Sequence, residues 1–335
     1  MYQNSNSQIP NNIKFYFSVG ILPVGIVLNS FCARVYFKKS LNKSTNMGTL
    51  YGCLSCFDVL ALINILIFNI LDFYQYDYQH SEFTCKFMKI WTKVVLQFPS
   101  FQQVVIAFFL WLSTCYPNAF KKAMKKTLYF EIGIFAYVMC MSLTNLGYHM
   151  RVNVMASPSS SNSSDEILIC IAANEYDVTS DLLNIINRAI LPCILIFTCN
   201  ALSFKKVINM GKRLNHEKKS ANFVKSVVIM NFVFVLIYLP WGIVFLIHHI
   251  TNYSINDPNS LDMSSFVNFY SFQMFYSICD CISYLYFMAA FFLNLTFNAL
   301  FRREILILLK INPRRMSAQN ETLNKTYNHR ANHVV

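Results

Sequence analysis

The sequence predicts an all-α membrane protein, a bundle of seven transmembrane helices, and three observations carry that prediction. Of 335 residues, 55% are hydrophobic and only 13% charged, with a mean hydropathy of +0.38. Soluble domains carry about 25% charged residues, so a water-facing shell around a single core cannot be built from this supply. Disordered, collagen-like and disulfide-scaffold chains fall to the same composition. Apolar runs long enough to span a bilayer recur seven times, and the connections between them alternate in charge.

A spanning helix needs about 20 apolar residues, at about 1.5 Å rise each, to cross a hydrocarbon core of about 30 Å. The first run, residues 15–36, follows a polar leader, 1–12, that has neither a basic n-region nor a small-residue cleavage site. The first helix is therefore expected to act as its own insertion signal. The second, 47–71, carries Asp58 at mid-helix, and the third, 87–116, contains Pro99. The fourth, 128–149, is the weakest, because Glu131 sits near its start. The fifth, 181–204, holds Arg188 and Pro192; the sixth, 224–250, holds Pro240; the seventh, 263–297, holds Asp280. None alternates with the period of a strand, which excludes a porin-like barrel.

Orientation follows from the basic residues. Most of the 28 lysines and arginines lie in the first, third and fifth connections and in the tail, including Lys38, Lys39, Lys121, Lys122, Lys205, Lys206, Lys218, Arg302, Arg303 and Arg314. The opposite connections are acidic, with Asp72, Asp77, Glu82, Asp165, Glu166, Glu175, Asp177 and Asp257. This places the amino terminus (1–14) outside and the carboxyl-terminal tail (311–335) in the cytoplasm, around a helical domain over 15–310. The net charge of +12 is then a topology signal, and no soluble basic face exists for nucleic acid. Of eleven cysteines, only Cys85 and Cys170 face the oxidising side, so one disulfide between them is the economical reading, against two unrelated thiols. Asn162 and Asn252 are glycan acceptors in outer connections.

Motifs narrow the class. Gly25-Ile-Val-Leu-Asn29, Leu54-Ser-Cys-Phe-Asp58, the Cys85 and Cys170 pair, Pro192, Phe234-x-x-Ile-Tyr-Leu-Pro240 and Phe301-Arg302-Arg303-Glu304 occur in this order. In order and spacing the chain resembles the rhodopsin-like G-protein-coupled receptors, as a divergent member of peptide or chemosensory type. The resemblance implies that Phe301 opens a short amphipathic eighth helix and that Cys85 and Cys170 pair. Departures are equally plain. Phe109-Leu110-Trp111 stands where the family carries Asp-Arg-Tyr, Tyr238 replaces the toggle tryptophan, Asn200 the fifth-helix tyrosine, and Ala290-Phe-Phe-Leu-Asn294 replaces Asn-Pro-x-x-Tyr. The fold-level residues survive while the signalling switches are rewritten.

Each ionisable group in hydrocarbon costs about 2.5–3.5 kcal/mol on insertion scales and asks for a partner or a role. The resemblance gives Asp58 a sodium ion; the alternative is a neutral carboxyl hydrogen-bonded to Asn29. Asp280 is either one half of a buried pair with Arg188 or Lys93, or a ligand contact. Lys86, Lys89 and Lys93 share one helical face at the outer mouth, where they snorkel or capture an anion. Trp241 and Phe245 belong to an aromatic crowd that either faces lipid or lines an amphipathic pocket. The lysines favour an anionic ligand and the acidic rim a cationic one, so ligand charge stays open.

The expected function is a cell-surface receptor, not an enzyme. It binds an extracellular ligand, a peptide in preference to a small molecule, because no aspartate stands one turn before Pro99 where amine receptors carry one. Pro240 kinks the sixth helix, Phe234 and Tyr238 report pocket occupancy, and Leu110, Trp111, Arg302 and Arg303 face a heterotrimeric G protein. The rivals are a secondary transporter using Asp58, Arg188 and Asp280, and a receptor with weak or absent coupling. No cofactor is expected beyond that sodium ion, and no histidine shows metal-ligand spacing.

Overall fold

A computed structural model of the chain describes residues 8–38, 47–74, 82–149, 153–157, 167–171, 182–210, 218–255 and 263–309. In chain order the elements are α1 (Gln8–Tyr36), α2 (Gly48–Phe73), α3 (Glu82–Cys115), α4 (Pro117–Met124), α5 (Thr127–His149), β1 (Asn153–Ser157), β2 (Ile167–Ile171), a π-helical turn (Ile186–Ile190), α6 (Leu191–Met210), α7 (Lys218–Ile255), α8 (Met263–Phe297) and α9 (Ala299–Leu308). The seven predicted runs correspond to α1, α2, α3, α5, the π-turn with α6, α7 and α8. Six of these are long and apolar enough to cross a membrane, and the described apolar part of α5 covers Thr127–Ser142.

The helices close into a ring. α1 packs on α2 and α8, α8 on α7, and α7 on α6, while α3 touches α2, α5 and α6 and so occupies the centre. That central place explains why α3 carries Gln97, Ser100, Gln102 and Gln103 with no exposure at all: amides inside a bundle must bond to neighbouring helices. The ring's outer faces invert the soluble pattern. Tyr16, Val27, Phe197, Phe204, Phe232 and Leu236 are all more than half exposed, the contact surface that acyl chains require.

Small residues let the helices approach. A side chain at Gly25 would meet Met288 at 2.9 Å and Leu62 at 3.0 Å, so side chains of α2 and α8 pack directly on the α1 backbone there. The two larger of three apolar clusters fill most of the interior. One, toward α9, contains Tyr36, Tyr51, Leu110, Met230 and Phe301; the other, toward the β-hairpin, contains Leu62, Ala189, Phe234, Tyr238, Trp241 and Tyr286. We call these ends the α9 face and the hairpin face.

Several boundaries differ from expectation. α1 begins at Gln8, so residues 8–14, expected in an extracellular terminus, form its first turns; Pro10 is tolerated there because a first-turn N–H has no helical partner to lose. The third connection is not a simple loop. Tyr116-Pro117 breaks α3, and the proline at the first helical position starts α4, which carries Lys121 and Lys122. Asn252, expected in an outer connection, falls within the last turns of α7. The eighth helix starts two residues before Phe301, because the Asn298 side chain accepts a bond from the Phe301 N–H at 3.2 Å. Glu304 then ties it to Lys38 at 2.9 Å.

Candidate functional site within the hairpin half of the bundle

The site starts from one acid. Asp280 lies in α8 with its side chain 9% exposed, and three donors converge on it. Lys14 Nζ of α1 lies 2.9 Å from Oδ2, the Tyr284 hydroxyl donates to the same oxygen at 2.7 Å, and the Trp241 indole N–H of α7 donates to Oδ1 at 3.1 Å. Lys14 also sits 4.9 Å from the centre of the Tyr276 ring. The expected partners of Asp280 were Arg188 and Lys93; the ion pair is instead with Lys14. The first apolar run begins one residue after Lys14, and a lysine at such an edge reads as a snorkelling cation. Only the extra turns of α1 carry it into the bundle.

Arg188 lies in an irregularity. Asn187, Arg188 and Ala189 are consecutive and all buried. They belong to the π-turn Ile186–Ile190, which widens the helix locally. Gly242 of α7 admits it: a side chain there would stand 3.0 Å from the Ala189 Cβ. The guanidinium lies 4.2 Å over the Trp241 ring and 5.9 Å from the centre of the Tyr238 ring.

From Trp241 an aromatic column runs toward the α9 face. Trp241 meets Tyr238 edge-on at 5.9 Å, Tyr238 stacks on Phe234 at 4.6 Å, and Tyr286 of α8 stands against both at 5.3 and 5.1 Å. Phe245 adjoins Trp241 at 5.3 Å on the other side. Pro240 interrupts the α7 hydrogen-bond ladder inside this column. Three residues from Phe234, Asn231 accepts from the Gln103 amide of α3 and donates to Asn200 of α6 at 2.8 Å. This amide relay joins three helices. Two adjacent glutamines in an apolar run were the available signal for it, and sequence reasoning passed over them.

Asp58 is 1% exposed, and its Oδ1 has no hydrogen-bond partner among the described residues. The expected bond from Asn29 is not made. Asn29 donates to the carbonyls of Gly25 and Phe287 at 3.1 and 2.7 Å, which pins α1 to α8 and leaves its own Oδ1 unpartnered.

At the α9 face Arg302 and Arg303 are exposed and Trp111 partly so. Leu110 departs from its expected transducer-facing position. It is 1% exposed, in one apolar cluster with Met230 and Val227 of α7, because a leucine gains nothing from water and fills the interhelical gap. Asn162 lies outside the described residues, as do the side chains of Cys85, Lys89, Cys170 and Asn252; β2 pairs Cys170 with Val154 in backbone register. Among the described residues no cluster of histidine, cysteine or acid fits a metal.

Two apolar clefts, of about 380 and 400 Å³, open outside the ring: one between α2, α3 and α5, the other between α3, α5 and α6. Their linings include Trp91, Phe135 and Tyr129, each well exposed toward lipid. Neither reaches the polar cluster. A family model described as 7 transmembrane receptor (rhodopsin family) matches residues 30–286. No curated protein matches the chain.

Proposed function

Because this chain belongs to the rhodopsin family of seven-transmembrane receptors, multi-pass membrane proteins that signal and are not enzymes, we propose that it binds an extracellular ligand on the hairpin face. On this reading it passes the signal to a heterotrimeric G protein at the α9 face. The charge pattern supports that orientation, since the hairpin-face connections are acidic and the α9-face connections basic. One observation carries the reading. Buried side chains run without a break from Asp280 and Arg188 through Trp241, Tyr238 and Phe234 toward the Gln103–Asn231–Asn200 relay.

A ligand seated against Trp241 and Phe245 favours one packing of the column over another. Pro240 lets the inner half of α7 swing in response. A peptide is the ligand class we favour, with a small odorant second. Lys89 and Lys93 at the mouth, and a Cys85–Cys170 disulfide holding the hairpin to α3, belong to the same proposal. Sodium at Asp58 does too: a buried carboxylate with an unpartnered oxygen is chemically suited to a hard monovalent cation, although Ala290 withholds the family's asparagine.

Leu110 favours a second reading, a receptor of weak coupling, because a buried leucine offers a G protein no cation. The test is a screen of neuropeptides and small odorants on cells expressing the chain, read across all G-protein classes. Tyr238→Ala is expected to keep surface expression and change ligand-dependent output. Unchanged output would remove the aromatic column from the mechanism.

A further inference from the structure

Asp280, Lys14 and Arg188 lie close together in the hairpin half, and they are not equally satisfied. Asp280 is spent: Lys14, Tyr284 and Trp241 occupy both its oxygens, and one of these donors already carries the neutralising charge. A cationic ligand would have to displace Lys14 to reach it. Arg188 is the opposite case. It is 5% exposed, and its Nε and Nη2 have no acceptor among the described residues. These two nitrogens form the side edge of the guanidinium fork, where two N–H bonds run parallel at the spacing of two oxygens on one carbon. The Trp241 and Tyr238 rings lie against the guanidinium.

We propose that this receptor's ligand carries a carboxylate, bound side-on by Arg188 Nε and Nη2, with an apolar body against Trp241 and Phe245. The inference rests on the receptor reading and adds ligand charge and chemical class to it. Three features support it together. Arg188 lies in a π-turn, a helix irregularity that recurs at functional sites, and is buried there with Asn187 and Ala189. Lys14 takes the ion pair of Asp280, so Arg188 has no salt-bridge partner within 4.0 Å among the described residues. The fork is already oriented, by its contact with Trp241, before any ligand arrives.

The full-length chain, purified in detergent without a G protein, is melted with matched acid and amide probes: octanoate and octanamide, 3-phenylpropanoate and its amide, and inorganic phosphate. We expect at least one acid to raise the melting temperature saturably, by about 4 °C at 100 times its Kd, while its amide and phosphate do not. Arg188→Gln is expected to abolish that rise and, without probe, to melt no lower than the unaltered chain, because removing an unspent buried cation relieves its desolvation cost. Lys14→Gln is expected to keep the rise. The proposal is overturned if no acid outperforms its amide, if phosphate matches the acids, or if Arg188→Gln retains the effect. It is also overturned if Arg188→Gln alone melts well below the unaltered chain, which would make the ring contacts the purpose of the arginine. None of these outcomes bears on G-protein coupling, so the receptor reading stands or falls separately on the signalling screen.

Discussion

Lys14 and Asp280 should show strong thermodynamic coupling, and the structure sets its size. A fully exposed pair contributes about 0.2–1 kcal/mol, and breaking a fully buried one costs about 3–5 kcal/mol. Here the bridge is 2.9 Å long, with side-chain exposures of 21% and 9%, between those limits and nearer the buried one. A coupling of about 2.5–3 kcal/mol follows. The two single variants should differ. In Lys14→Met, Asp280 keeps Trp241 and Tyr284 as donors but loses its counter-charge, deep in the bundle. In Asp280→Asn, the lysine, one turn from the start of the membrane-spanning part of α1, can extend its flexible stem toward water. Lys14→Met should therefore lower the melting temperature more than Asp280→Asn, and the double variant should recover part of the loss. Thermal unfolding of all four proteins in one detergent closes the cycle. Losses that add within about 0.5 kcal/mol, or a larger loss in Asp280→Asn, would refute the reasoning.

The relay and the α9 face give two further expectations. Gln103→Leu leaves Asn231 with an unpaired buried group and should cost about 1–3 kcal/mol, whereas Gln103→Leu with Asn231→Leu should recover much of it; melting curves of the single and double variants check this, and an unaffected single variant counts against the relay. Leu110→Arg puts a charge into an apolar cluster and should loosen the α9 end, raising basal G-protein activation at equal surface expression; basal output across all G-protein classes measures it, and an unchanged value would separate Leu110 from the closed packing.

The crossings were legible because a spanning helix must satisfy its own backbone within a fixed thickness, and that constraint is written in run length. The seventh run coincides with α8 at both ends, Met263 and Phe297. What escaped was set by contacts between runs. Lys14 looks like any edge lysine until α1 extends past it and α8 presents Asp280. Arg188 sits in a π-turn, which has no periodic signature, beside Ala189, which packs against Gly242. Asn29 and the aspartate motif of the second run suggested a bond between them, yet the carbonyls of Gly25 and Phe287 take the same amide. Polar residues in apolar runs announced that partners exist; only the packing decides which.

Asp280 and Gln103 use their polar groups to fasten helices, while Arg188 and Asp58 hold theirs in reserve. The distinction bears on how the receptor would switch. Where the resemblance leads one to expect an arginine holding the α9 end closed, this chain has Leu110 in an apolar cluster with Met230 and Val227. A charge pair weakens with ionic strength, but packing and amide bonds do not. Opening the α9 end then means parting apolar surface and breaking the bonds of Asn231 to Gln103 and Asn200, a cost that salt leaves unchanged. The ligand has to supply that difference through contacts it makes in one packing and not the other. Of the buried charged groups described on the hairpin side, Arg188 has such contacts still to give.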